Sequence, residues 1–131
     1  MFIPEGYNAI TPYIFASDAK RLMAFMSDAF GAQQTHCSER PDGAIANAAL
    51  RVGDSTVMIS DATPAWPAMP AAYYLYVENA DASMEKALAA GAELMMEVAD
   101  MDYGDRQGGV RDPVGNLWWI SQRLSDEPYD A

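Results

Sequence analysis

The chain has 131 residues, half of them hydrophobic, and carries 8 basic against 19 acidic side chains for a net charge of −11. That length suits one compact domain, or two half-size modules sharing a sheet. The acidic balance speaks against nucleic-acid binding, the lack of any apolar run near ~18 residues against a membrane span, and the single Cys37 against an intrachain disulfide.

In chain order, the opening MFIPEGYN has neither a basic nor an apolar leader segment, so no secretory signal and a reducing cytoplasm are expected. Asn8 to Ala16 reads as a strand, and Ser17 or Asp18 as the cap of a helix from Ala19 to Phe30. Leu22, Met23, Phe25, Met26, Ala29 and Phe30 form its apolar stripe, and Gly31 ends it. Gln33 to Glu39 is a second strand. The turn signal Arg40-Pro41-Asp42-Gly43 leads to strands Ala44–Val52 and Thr56–Ser60, joined through Gly53-Asp54. Cys37 reads as a small strand filler, since its neighbour His36, the one histidine, points to the opposite face.

A linker with three prolines follows, residues 62–71, stiff and extended, with Trp66 in its middle. A large aromatic on a linker covers something: the core between modules or a ligand cleft. Tyr73 to Glu78 is the fifth strand, Asp81 caps a helix Ala82–Ala90, and Glu93 to Val98 is the sixth strand. An acidic loop, Ala99–Asp105, precedes a closing hairpin. Its strands are Gln107–Arg111, whose Gly pair suggests a bulge or a close approach, and Leu117–Ser121. The turn between them is Asp112-Pro113-Val114-Gly115-Asn116. The last residues, 124–131, carry Asp126, Glu127 and Asp130 and read as a solvated acidic tail.

The pattern repeats. Tyr13-Ile14-Phe15-Ala16 before the first helix matches Tyr74-Leu75-Tyr76-Val77 before the second, and Leu50–Ser60 echoes the closing hairpin, about 60 residues apart. This doubled βαβββ unit, with VRDPVGNLWWI closing the second copy, resembles the vicinal oxygen chelate superfamily: glyoxalase I, extradiol dioxygenases and bleomycin-resistance proteins. In character the chain is nearest the metal-free, drug-binding branch. The resemblance implies an α+β fold in one domain over residues 1–131. Modules at 7–61 and 72–123 would form an eight-stranded mixed, largely antiparallel sheet around a concave cleft, with helices on the outer face.

Enzymes of that superfamily hold a divalent metal with His, Glu or Gln from the first and last strands of each module. The resemblance carries those positions to Thr11, Met58, Ala72 and Trp119, none a ligand of that kind. No metal, no cofactor and no catalytic residue are therefore expected. Strand alternation turns Ile14, Val57, Ile59, Leu75, Val77, Trp118 and Ile120 toward the helices. The cleft side is left with Tyr13, Phe15, Asn47, Met58, Tyr74, Tyr76, Gln107 and Trp119, with Trp66 nearby. Such a surface suits a planar aromatic molecule, although the same rings could fill the cleft or bury at an interface. The expectation is a non-catalytic protein that sequesters a hydrophobic small molecule, as in antibiotic resistance, and pairs with itself as a homodimer. One alternative is a lyase, isomerase or dioxygenase of the superfamily with an atypical metal site, drawing on Asn47, Asp54 or Asp105. Another is a structural module with a closed cleft.

Overall fold

The computed structural model describes residues 2–130. Its strands are β1 (Tyr13–Ala16), β2 (Gln33–Glu39), β3 (Ile45–Val52), β4 (Ser55–Asp61), β5 (Ala72–Tyr76), β6 (Glu93–Asp100), β7 (Asp105–Arg111) and β8 (Leu117–Arg123), and its helices are α1 (Ala19–Phe30) and α2 (Ala80–Ala89). The strands divide evenly into two four-stranded sheets, ordered β1-β4-β3-β2 and β5-β8-β7-β6. In each sheet the first strand lies parallel to the fourth and the other pairings are antiparallel. The repeat is reproduced in register: Tyr13 faces Met58 as Tyr74 faces Trp119, and Phe15 faces Ser60 as Tyr76 faces Ser121. Two βαβββ modules make one α+β fold.

Local chemistry sets most element ends. Asp18 caps α1 by accepting from the Arg21 N–H, and Gly31 closes it in the left-handed region at φ 67°. The cap of α2 is Asn79, not Asp81: its side chain accepts from the Ala82 N–H where the extended backbone of β5 runs out. Asp81 therefore falls in the first turn, where it pairs with Arg106. Strand β1 is shorter than Asn8–Ala16 suggests, because Pro12 has no N–H to give and contributes only its carbonyl, to Met58. Strands β6, β7 and β8 run longer than expected, with β7 starting at Asp105 in the stretch read as loop. The closing turn is built around Asp112, whose buried carboxylate accepts from the Val114 and Asn116 N–H groups, the Asn116 amide and the Trp118 indole.

The core lies on the helix side of both sheets, where Ile14, Val57, Ile59, Trp118 and Ile120 are buried and Leu75 and Val77 pack against them. This is the alternation read from the sequence. The helices, expected on the outer face, also form the joint between modules: α1 packs on α2, and Phe30 at the end of α1 lies 5.0 Å from the Trp118 ring. Cys37 packs against the core while His36 is exposed. Because the helix-covered faces meet at the joint, the opposite face of each sheet is left for other uses.

Candidate ligand-binding faces

On the free face of module one, Tyr13 and Phe15 rise from alternate positions of β1 with ring centroids 4.9 Å apart. The linker after β4 then folds back. Thr63 tightens it, accepting from the Trp66 N–H and donating its own N–H to the Trp66 carbonyl. The Trp66 ring stacks on Phe15 at 6.1 Å and 25°. Trp66 thus covers the free face rather than the core between modules, and it stays 65% exposed. These three rings, with Arg40, Ala46, Ser60 and Asp61, line an open cavity of about 310 Å³. Asn47 donates to the Tyr13 hydroxyl, and Met58 is the register partner of Tyr13 on the same face. The charged groups at the rim serve the fold: Asp61 accepts the Ala19 and Ile45 N–H groups, and Arg40 donates to the Asp61 carbonyl.

The free face of module two has the same frame and different chemistry. Tyr74 and Tyr76 stand on β5 with centroids 5.3 Å apart. Trp119 lies across Gly109, its register partner, so closely that a Cβ there would sit 2.4 Å from the indole. On the other side of β7, Met84 of α2 comes equally near Gly108. The Gly pair is therefore a close approach on both faces; the register is regular toward β8, and the irregularity lies opposite the pair in β6, between Leu94 and Met96 and between Met96 and Ala99. Gln107 is buried, donating to Ser121 and accepting from Tyr103. At the start of β7 the fully buried Asp105 carboxylate accepts from Tyr74, Tyr129 and Arg123. Burial alone would raise its pKa; the three hydrogen bonds outweigh it and hold Asp105 below the ordinary 3.8. The Tyr74 phenol is pushed up to about 12, by burial first and by its bond to Asp105 second.

The predicted binding residues therefore fall into two sets: Tyr13, Phe15, Asn47, Met58 and Trp66 on one sheet, and Tyr74, Tyr76, Gln107 and Trp119 on the other. Among the described residues, no aromatic contact joins the sets. Another groove, of about 610 Å³, lies between the modules on the helix side, where Phe30, Val57, Leu75 and Trp118 meet Asp54, Glu78 and Lys86. It follows the free edge of β5 and lacks the stacked rings of the free faces, so the aromatic faces are the better candidates for a flat guest.

Residues 6–120 match the family described as the Glyoxalase/Bleomycin resistance protein/Dioxygenase superfamily. The chain belongs to this superfamily. The protein Mb0911c of Mycobacterium bovis is 32% identical over 133 residues, spanning 93% of this chain and 88% of its own. Among solved structures, TioX from Micromonospora sp. ML1 shares the fold with a TM-score of 0.75 at 24% identity, covering 89% of this chain and 99% of its own. TnmS3 from Streptomyces sp. CB03234, described as an antibiotic binding protein, has a TM-score of 0.68 at 18% identity, with 89% and 99% covered.

Members of the glyoxalase superfamily that are enzymes use a metal, and the positions implied for it here do not fit one. Thr11 precedes β1 with its hydroxyl turned to the Asn8 carbonyl, Met58 and Trp119 offer a thioether and an indole, and Ala72 offers nothing. Of the carboxamide and carboxylates named as alternatives, Asn47 is engaged with Tyr13 and Asp54 sits in the β3–β4 turn. Asp105 is committed to two phenols and a guanidinium.

Several residues of these faces escaped the sequence reading. Arg40, Ala46 and Ser60 line the first cavity, and Ser60 is visible as the repeat counterpart of Ser121. Asp105 and Arg123 belong to the second face beside Ser121; Arg123 drew no notice, and Asp105 only as a metal donor. The tail is also more than a solvated end. Arg123 gives it a hold: its guanidinium donates to the Glu127 carbonyl and lies over the Tyr129 ring. Ala131 falls outside the described residues.

Proposed function

We propose that this glyoxalase-superfamily protein is a non-catalytic binding protein that sequesters a hydrophobic, planar aromatic small molecule of the antibiotic or natural-product kind. The observation that carries this reading is the set Tyr13, Phe15 and Trp66 around an open cavity, an arrangement of rings able to take a flat guest by stacking. The surroundings support binding over turnover: Ser60 has no imidazole near it, since the one histidine sits exposed on β2, and Asp61 and Arg40 are spent on backbone groups. The description of TnmS3 as an antibiotic binding protein agrees with this use of the fold. We further propose that two copies pair, so that the two faces combine into one cleft; the unpaired outer edge of β5 beside an open groove supports this.

The test is a tryptophan-fluorescence titration with a panel of flat aromatic compounds, run beside sedimentation and elemental analysis. Micromolar binding of at least one flat compound, a particle of twice the 14.3 kDa chain mass and no stoichiometric metal are the expected results. Binding restricted to non-planar or strongly polar compounds would sink the reading, and one divalent ion per chain would restore the metalloenzyme alternative.

A further inference from the structure

The segments that leave the two modules behave alike. After β4 the chain turns back over the free face of module one and sets Trp66 against Phe15. After β8 it turns back over module two and sets Tyr129 against Tyr76, the register counterpart of Phe15. Trp66 borders an open cavity; Tyr129 occupies the corresponding place.

The manner of that occupation is specific. The Tyr129 hydroxyl donates to Asp105 Oδ2 at 2.7 Å and lies 2.7 Å from the Tyr76 hydroxyl. With its proton committed to the carboxylate, it accepts from Tyr76. Its ring lies 4.0 Å beneath the Arg123 guanidinium, a cation–π contact. Yet Tyr129 remains 46% exposed on an acidic terminal segment, while the carboxylate it covers is fully buried. A half-exposed ring on a segment outside the sheet leaves without disturbing the core, and the seat beneath it is preformed by β5, β7 and β8.

We infer that the Asp105–Tyr76–Arg123 seat on module two receives the hydroxyaryl group of the ligand, and that Tyr129 is an internal occupant which the ligand displaces. This rests on the binding function proposed above and narrows its ligand to a phenol-bearing aromatic. The chemistry is selective. A methoxy group cannot donate to Asp105, an aryl carboxylate would meet it with like charge, and a bare ring would leave the carboxylate short of a donor once Tyr129 is gone. A phenol donates and accepts at one atom and presents a flat ring to the guanidinium. Tethering gives Tyr129 an effective concentration in the millimolar range, so its removal strengthens a competing phenol.

The experiment compares 2-naphthol with 2-methoxynaphthalene on the full-length chain and on its Tyr129→Ala variant, by calorimetry at neutral pH. The expected result is about tenfold tighter binding of 2-naphthol to the variant than to the parent, with 2-methoxynaphthalene changed less than about twofold. Asp105→Asn in the Tyr129→Ala background should erase the preference for naphthol. Should that double variant fail to fold, Tyr76→Phe, a change at an exposed side chain, should reduce the preference about threefold. Equal affinities for the two compounds in Tyr129→Ala would overturn the hydroxyl seat while leaving aromatic binding in place. An unchanged naphthol affinity between parent and variant would overturn Tyr129 as the competing occupant. Binding of neither compound to either form would remove the seat, and failure of every other flat compound as well would remove the function it rests on.

Discussion

Modules one and two share a ladder and differ on its free face. At matched positions, Ala49 faces Met58 where Gly109 faces Trp119, and Phe15 stands where Tyr76 does. Module one thereby presents rings around open space, and module two presents rings over a buried polar network with a tail lying on it. The lesson is that the backbone repeat and the surface repeat are separable. Helix-side positions must stay apolar to maintain the core, whereas free-face positions can diverge so long as each buried polar atom keeps a partner. Among the described residues every buried side-chain nitrogen and oxygen has one.

The strongest way to test that separation is on the core side. Trp118→Ala should cost about 3–5 kcal/mol in urea unfolding, while Val57→Ala, its counterpart in module one, should cost about 2 kcal/mol. A Trp118→Ala protein of parental stability would mean that the strand phase is wrong.

Next comes the small residue under each large one. Gly109→Ala should cost about 1–3 kcal/mol, because the indole of Trp119 has to move off the strand. Ala49→Gly, which removes a methyl and crowds nothing, should stay near 1 kcal/mol. Similar losses at the two sites would show that the close packing of Trp119 contributes nothing.

On the free faces the effects move from folding to binding. Trp66→Ala should leave the unfolding midpoint nearly unchanged and weaken a flat aromatic ligand about three- to tenfold, one stacking contact's worth. Trp119→Ala should also weaken binding, with a larger stability cost than Trp66→Ala because that ring is half-buried.

The smallest effect is in the pH dependence, and it belongs to module two alone. Asp105 has a depressed folded-state pKa, so its stabilisation is complete above the ordinary value of 3.8 and is lost as pH falls through the folded one. Tyr74 runs the other way: its contribution is full below pH 10.0 and disappears as pH rises through about 12. Near-ultraviolet circular dichroism of the tyrosines should therefore hold flat between these limits and change at both. A transition centred near neutrality would contradict the Asp105 network.

The doubled fold was legible because the strand, helix and hairpin signals recur about 60 residues apart, and Ile14, Val57, Ile59, Trp118 and Ile120 hold every second position on the helix side of their strands. The rings of the free faces were legible for the same reason, since whatever is out of phase with the core must face away from it. The cap of α2 was misplaced because Asn79 and Asp81 are both good cap residues, and only the end of β5 chooses between them. Asp105 escaped as a part of the binding face because an acidic residue in an acidic stretch looks solvated; its partners, Tyr74, Arg123 and Tyr129, lie far along the chain.

The sequence by itself determined the two modules, the strand phase, and the lack of imidazole or carboxylate at the positions where metal-dependent relatives need them. These are properties of local pattern and residue type, and they survive any reasonable packing. Tertiary structure alone decided that the aromatic residues divide between two faces, that Trp66 lies on Phe15, and that Tyr129 returns to Asp105. Those outcomes depend on how the linker and the tail close back over a sheet. The path of such a closure is set by a few long-range hydrogen bonds and ring contacts, which leave no periodic trace in the chain.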